Sequence, residues 1–282
     1  MQRVAVGQGF LELPVAAQAF QGGGVPAQRA AGRASSTRPE SAGACGDRPR
    51  PRREEKVMTD AKIVDRADWY AARRAFLERE KEVTRARDAL NAERRELPMM
   101  VVDKGYVFEG PDGERTLPEL FEGRRQLLTY HFMWPLEGHD WCPVCSLFID
   151  NIGHLAHLHA RDTSLAIVCA APQSDIVPFK RRMGWDIPWY TTRGDDFYQD
   201  FTLDVGTDEP ELPGVSAFLR DDDGRVLYAY STHGRGSDIL NNTYNYLDLT
   251  PLGRQEKGMA DTMGWIRHHD RYGDATAGSC HG

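Results

Sequence analysis

The stretch Trp141-Cys142-Pro143-Val144-Cys145-Ser146 stands between an apolar run, 126–133, and a helix-like run, 146–159. Two thiols separated by two residues at a strand-to-helix junction have the geometry for closing and reopening a small disulfide. A helix that begins at Pro143 loses nothing through the missing proline N–H, because first-turn donors have no intrahelical partner. Cys142 is then the N-cap. Its sulfur faces the free N–H groups and the positive end of the helix dipole, which lowers a thiol pKa and favours the nucleophilic thiolate. Cys145, one turn on, is close enough to resolve a mixed disulfide and shielded enough to keep a higher pKa. The Pro143-Val144 dipeptide tunes the reduction potential without fixing the direction of electron flow.

Around the pair, His131 on the preceding strand and His139 in the connecting loop are candidates to assist proton transfer. Trp141 shields one side of the nucleophile and offers a surface to a partner peptide. A zinc site is the competing reading of this spacing. It needs two further ligands, and His154, His157 and His159 follow. Twelve helical residues separate His154 from Cys142, roughly 18 Å, so one unbroken helix forbids that site. Ser146, Asp150, His154, His157 and Arg161 also fall on one polar helical face, opposite Val144, Phe148, Ile152 and Leu155. Neither metal nor cofactor is expected. Cys169 lies in an apolar strand and reads as a small buried hydrophobe. Cys45 and Cys280 lie in tails.

The wider composition agrees with a redox protein of a reducing compartment. The 282 residues are 40% hydrophobic, enough for one sizeable core, and no segment approaches the roughly 18 consecutive apolar residues of a membrane span. A net charge of −7 gives no footprint for nucleic acid or an anionic membrane. Five cysteines without regular spacing are not a secreted disulfide framework. The apolar start is broken by Gln8, Gly9, Glu12 and Pro14, short of a signal peptide. The expectation is cytoplasmic.

Residues 1–57 are rich in Ala, Gly, Pro and Arg with only Phe10 and Phe20 as aromatics, too little apolar material to offset ordering entropy. They read as a disordered tail, or as sequence upstream of a true start at Met58. Residues 58–98 form a helical extension, in which Trp69, Phe76, Val83, Leu90 and Leu97 recur every seven residues across 65–96. Ala72 and Ala86 partly fill a second stripe. The reading is a helix laid over the body or a partner subunit, with a homodimer as a possibility.

The body, 99–272, alternates strands and helices. Extended segments at 99–102, 106–109 and 115–117 flank Gly110-Pro111-Asp112-Gly113 and form a hairpin. A short helix at 118–122 leads to the strand 126–133. Beyond the cysteines come a helix to about Ala160, a strand at 164–170, a helix at 174–183 ended by Gly184, and a strand at 189–192. Strands at 215–220 and 225–231 enclose the hairpin signal Asp221-Asp222-Asp223-Gly224. A helix at 237–247 precedes a tail, 273–282. The class is α/β with a mixed sheet flanked by helices.

Strand, Trp-Cys-x-x-Cys, helix, then β-α-β-β-α together resemble the thioredoxin and peroxiredoxin superfamily. Tyr130-His131-Phe132-Met133, Cys142-Pro143-Val144-Cys145-Ser146, Lys180-Arg181-Arg182-Met183-Gly184-Trp185, Tyr230-Ser231-Thr232, Tyr246 to Arg254 and Trp265 to Asp270 resemble the thioredoxin-like proteins grouped as DUF899, over 58–272. The resemblance implies a dithiol-disulfide oxidoreductase acting on a protein or small-molecule disulfide and recycled by a cellular dithiol. Thioredoxins place a cis-proline immediately before the last hairpin, where this chain is read as Gly214-Val215-Ser216. Peroxiredoxins carry a proline, a hydroxyl residue four positions later and the reactive cysteine three further on. Pro135, His139 and Cys142 reproduce that spacing, so a thiol peroxidase, with Cys142 passing through a sulfenic acid, is the second enzymatic reading. A binding module with incidental cysteines is the third.

Overall fold

At the centre of the sheet, β4 (Gln126–His131) pairs in parallel with β5 (Thr163–Cys169) on one side and antiparallel with β7 (Gly214–Arg220) on the other. β8 (Val226–His233) returns antiparallel to β7 through the turn at Gly224, whose φ of 83° suits glycine. This four-strand order, with a helix crossing from β4 to β5, is the thioredoxin-like arrangement. The computed structural model describes residues 61–133, 140–194, 196–201 and 213–273. The two tails, His139 and Pro135 lie outside them.

Further strands widen the sheet. β6 (Trp189–Thr192) runs parallel to β5 and is followed outward by the hairpin β2 (Val107–Gly110) and β3 (Gly113–Thr116). The short β1 (Met100–Val101) closes the other edge against β8. The eight strands run in the order β1-β8-β7-β4-β5-β6-β2-β3, a mixed sheet as the sequence led us to expect.

Strand alternation assigns each residue of β4 to a face. Leu127 and Thr129 face one way with Ala166 and Val168, beneath α2 (Leu117–Leu120) and α6 (Asp196–Phe201). Tyr130 and Phe132 face the other way with Ile167 and Cys169, beneath α3 (Pro143–Asp150) and α5 (Gln173–Met183). Gly184, in the left-handed conformation, ends α5 as its position in the sequence implied.

Two expectations need correction, and one helix has no counterpart in the sequence reading. The helix read as continuous to Ala160 stops at Asp150, and a separate turn, α4 (Ala156–His159), follows Gly153. The cause is Asn151. Its amide donates to the Leu147 carbonyl at 2.7 Å and its oxygen accepts the Thr243 N–H at 2.8 Å, diverting the chain end toward a different helix. The helix read over 237–247 is a 3-10 helix, Gly234–Leu240, followed by α7 (Asn242–Asp248), with Asn241 capping α7 through the Tyr244 N–H. The α6 helix had no sequence counterpart, because its Asp-Phe-Tyr-Gln-Asp-Phe pattern is too short to show helical periodicity.

The helix α1 (Arg66–Arg95) forms as read, with the Asp65 carboxylate accepting the Asp68 N–H at 2.9 Å. It does not lie over the body. It buries none of its residues, and Trp69, Phe76, Val83 and Leu90 are 53%, 60%, 68% and 54% exposed.

Gly214 opens β7 where a side chain has no room. A Cβ there would lie 2.6 Å from the Thr232 carbonyl oxygen and would collide with the His233 ring. Gly214→Ala is expected to destabilise the protein by about 1–3 kcal/mol through overpacking, read as a lowered urea midpoint with an unchanged slope.

Candidate active site

Pro143 is the first residue of α3 and Cys142 is its N-cap, with an extended backbone at φ −60° and ψ 114°. The Cys142 sulfur accepts the Cys145 N–H at 3.3 Å, so it occupies the place a serine or aspartate oxygen takes in an ordinary cap. Both cysteines are free thiols. Cys142 is half-buried and Cys145 wholly buried.

Their environments push the two thiols apart. A hydrogen bond from the Cys145 thiol, helped by the backbone N–H groups of Cys145 and Val144, outweighs the cost of burial and lowers Cys142 to about 7. Burial, then the neighbouring Cys142 sulfur, raises Cys145 well above its ordinary value. The buried Tyr130 hydroxyl lacks any nitrogen or oxygen partner and neighbours the Cys145 thiol. Tyr130 stacks on Phe148 of α3 with ring centroids 5.9 Å apart. An aromatic wall therefore stands beside the second sulfur.

Trp141 is not a free-standing recognition surface. Its ring stacks on Phe179 with centroids 4.2 Å apart and planes within 5°, and it meets Phe132 and Trp189 edge-on. Pro143 sits where the sequence placed it. His131 does not reach the thiols. Its Nε2 pairs with the Ser216 hydroxyl at 2.9 Å and its ring stacks on Phe197, on the opposite sheet face from Tyr130. Burial pushes it down to about 3, so it stays neutral. His139 lies outside the described residues.

The helix geometry read against zinc does not hold. The helix that was to hold the histidines away from Cys142 is broken at Asn151, and Ser146, assigned to the polar face, is wholly buried with its hydroxyl donating to the Cys142 carbonyl at 2.9 Å. Among the described residues, no three His, Cys, Asp or Glu side chains group closely enough to hold a metal.

The segments Lys180 to Trp185 and Trp265 to Asp270 converge behind the pair. His268, only 2% exposed, bonds the Trp141 carbonyl through Nε2 at 3.0 Å. Its Nδ1 lies 2.7 Å from the Arg182 guanidinium, which can only donate. His268 is thus a neutral ring that accepts at Nδ1 and donates at Nε2, and burial, then Arg182, keeps its pKa low. Arg182 in turn pairs with Asp270 at 3.2 Å, and Arg271 pairs with Asp140, whose carboxylate accepts the Trp141 N–H at 2.9 Å. Both backbone polar groups of Trp141, the residue before Cys142, are therefore fixed by this latch.

β7 begins at Gly214, so the residue immediately before the last hairpin is Pro213, one position earlier than the reading at Gly214-Val215-Ser216 allowed. The bond preceding it involves Leu212, outside the described residues.

A family profile described as a bacterial protein of unknown function, DUF899, matches residues 58–272. The chain belongs to the DUF899 family. No curated protein sequence matches this DUF899 chain. Among solved structures it is similar to a thiol:disulfide interchange protein from Bacteroides sp., at 14% identity and a TM-score of 0.34 over 54% of this chain and 91% of that one. A peroxidoxin, BcpB, from Mycobacterium tuberculosis is similar at 16% identity and 0.34, over 53% and 96% of the two chains. A thiol:disulfide interchange protein of the thioredoxin family from Chlorobium tepidum is similar at 13% and 0.31, over 52% and 97%.

His268→Ala removes a partner from both Arg182 and the Trp141 carbonyl, and a loss of roughly 1–3 kcal/mol in stability is expected for each buried group left unpaired. Because the Cys142 cap hangs from that carbonyl, the apparent Cys142 pKa should also rise from about 7 toward the ordinary 9.0. Initial alkylation rates of Cys142 across pH in the two proteins measure the shift.

Proposed function

We propose that this DUF899 protein is a thiol-disulfide oxidoreductase in which Cys142 is the nucleophile and Cys145 the resolving thiol. The observation that carries the reading is the split between two thiols one helical turn apart: one caps a helix N-terminus with a lowered pKa, the other is buried with a raised one. A thiolate present at neutral pH attacks, while a protonated neighbour waits in an apolar setting.

In the reducing direction, the Cys142 thiolate attacks one sulfur of a substrate disulfide. A Cys142–substrate disulfide forms, the substrate S–S bond breaks, and the departing thiolate takes a proton. Cys145 then loses its proton and attacks the Cys142 sulfur, forming the Cys142–Cys145 disulfide and releasing the second substrate thiol. Two electrons pass from the pair to the substrate. A dithiol reductant restores the pair, and the same steps run backwards oxidise a dithiol substrate. Burial makes the Cys145 thiolate costly, so the second step waits until the mixed disulfide removes the Cys142 negative charge.

Trp141 and Pro143 support this by fixing the entry to α3, while His131 has no part in it. The peroxidase reading rests on Pro135 and His139, outside the described residues. No helix among the described residues is long and apolar enough to cross a membrane.

With a disulfide substrate and dithiothreitol or thioredoxin as reductant, Cys142→Ser should lose at least about a thousandfold in rate, reflecting the weak nucleophilicity of a hydroxyl without an adjacent base. Cys145→Ser should accumulate a mixed disulfide detectable by intact mass. A reduced Cys142/Cys145 pair that never forms an intramolecular disulfide across a glutathione redox series sinks the reading. Rapid hydrogen peroxide consumption with a Cys142 sulfenic acid would replace it by the peroxidase.

A further inference from the structure

Among the described residues two apolar surfaces are left uncovered, and they meet at one end. The first is the stripe of α1. The helix has 30 residues, about 45 Å, and its stripe from Trp69 to Leu90 lies in solvent from end to end. The second is a cleft of about 480 Å³ on the sheet face that carries Leu128, Leu165, Val215, Ala217 and Tyr230. These side chains are neighbours by register, with Leu128 opposite both Leu165 and Ala217, and Ala217 opposite Tyr230. On the other sheet face Leu127, Ala166 and Phe218 are fully covered. A mixed sheet of this kind ordinarily buries both faces. Arg94, in the last turn of α1, lines the cleft and lies over the Tyr230 ring at 4.7 Å, so α1 departs from the cleft's rim.

We propose that a second copy of the chain covers both surfaces, the two α1 helices running antiparallel so that each N-terminal end reaches the partner's cleft. Antiparallel pairing is the arrangement that brings the free end of one arm to the root of the other, and it is two-fold symmetric. One register serves both stripes. It sets Phe76 on the partner's Ala86 and Leu90 on the partner's Ala72, large side chains into small, and places Asp68 opposite the partner's Arg94. Arg79 and Glu93 occupy the remaining second-stripe positions and extend along their stems to water. The exposed Ile63 and Val64, just before the cap of α1, then arrive at the partner's cleft. Among the described residues the rim there carries Arg94, His154 and His157 and no carboxylate. The arriving end carries Lys62 and Arg66 as well as Asp65 and Asp68, so it brings no net charge and its fit to the cleft rests on Ile63 and Val64. Two helices of this length with two cleft contacts bury on the order of 1,500 Å², the size of a stable interface.

Light scattering on the full-length chain at roughly 10 µM, where a micromolar complex is populated, should give twice the 31.7 kDa chain mass. Phe76→Glu with Leu90→Glu should give a monomer with unchanged helical circular dichroism, both positions being exposed in the protomer. Ala72→Cys combined with Leu90→Cys should oxidise to a covalent dimer well above the parent chain, and Ala72→Cys alone should not. A monomer at that concentration, a dimer that survives the two glutamates, or cross-linking through Ala72→Cys alone each overturns the arrangement. So does a native mass spectrum of the monomer carrying a small apolar anion in the cleft.

Discussion

The structure depends on how the first turn of α3 satisfies donors that no helix can satisfy for itself. Pro143 removes one N–H, and the Cys142 sulfur takes the Cys145 N–H that an oxygen would ordinarily take. An anionic sulfur accepts best, so the cap adds to the Cys145 thiol's hydrogen bond, the larger cause, in lowering the Cys142 pKa. Everything that fixes the geometry of residues 140–145 consequently acts on the chemistry of Cys142. That includes the Ser146 hydroxyl on the Cys142 carbonyl and the network around Trp141.

Position on the sheet explains why the second thiol behaves differently. Cys145 points inward among Tyr130, Phe132 and Ile149, where a charge has few partners. The Tyr130 hydroxyl is the polar exception, and it sits beside the sulfur. It can donate to a thiolate, so it favours the charged form only once Cys145 has been deprotonated. His131, the next residue of β4, faces the opposite side, bonds Ser216 and is held neutral by burial, then by His233. One residue of strand alternation thus separates a side chain that neighbours Cys145 from one that cannot.

Much of this was legible in the sequence, and the failures share a cause. The fold class, α1, β6, the hairpins and the Cys142 N-cap follow from local patterns: heptads, Asp-Gly turns, proline at a first helical position. What escaped was decided by partners distant in the chain. Asn151 ends α3 because Thr243 waits for it, and nothing near Asn151 announces that. His131 was tied to the thiols by nearness in sequence, although counting its parity on β4 against Tyr130 would have turned it away. Pro213 was overlooked because the start of β7 was read one residue late. His268 and Arg182 belong to segments that enter the sequence reading only through the family resemblance, and only the folded chain shows both on the Trp141 carbonyl's path.

That last contact spans 127 residues, and its energetics explain how the Cys142 site can draw on a segment so distant in the chain. Closing a long loop costs only slowly more as it lengthens, because the entropy grows with the logarithm of its size. A buried imidazole, by contrast, is costly unless both ring nitrogens are satisfied. Arg182 and the Trp141 carbonyl satisfy them together, so the ring is stable only when α5, the C-terminal segment and the entry to α3 are all in place. Losing any one of the three leaves a buried polar group without a partner. The N-cap geometry of Cys142 is therefore enforced cooperatively by the fold around it, which a surface ion pair, worth little in water, has no means to do.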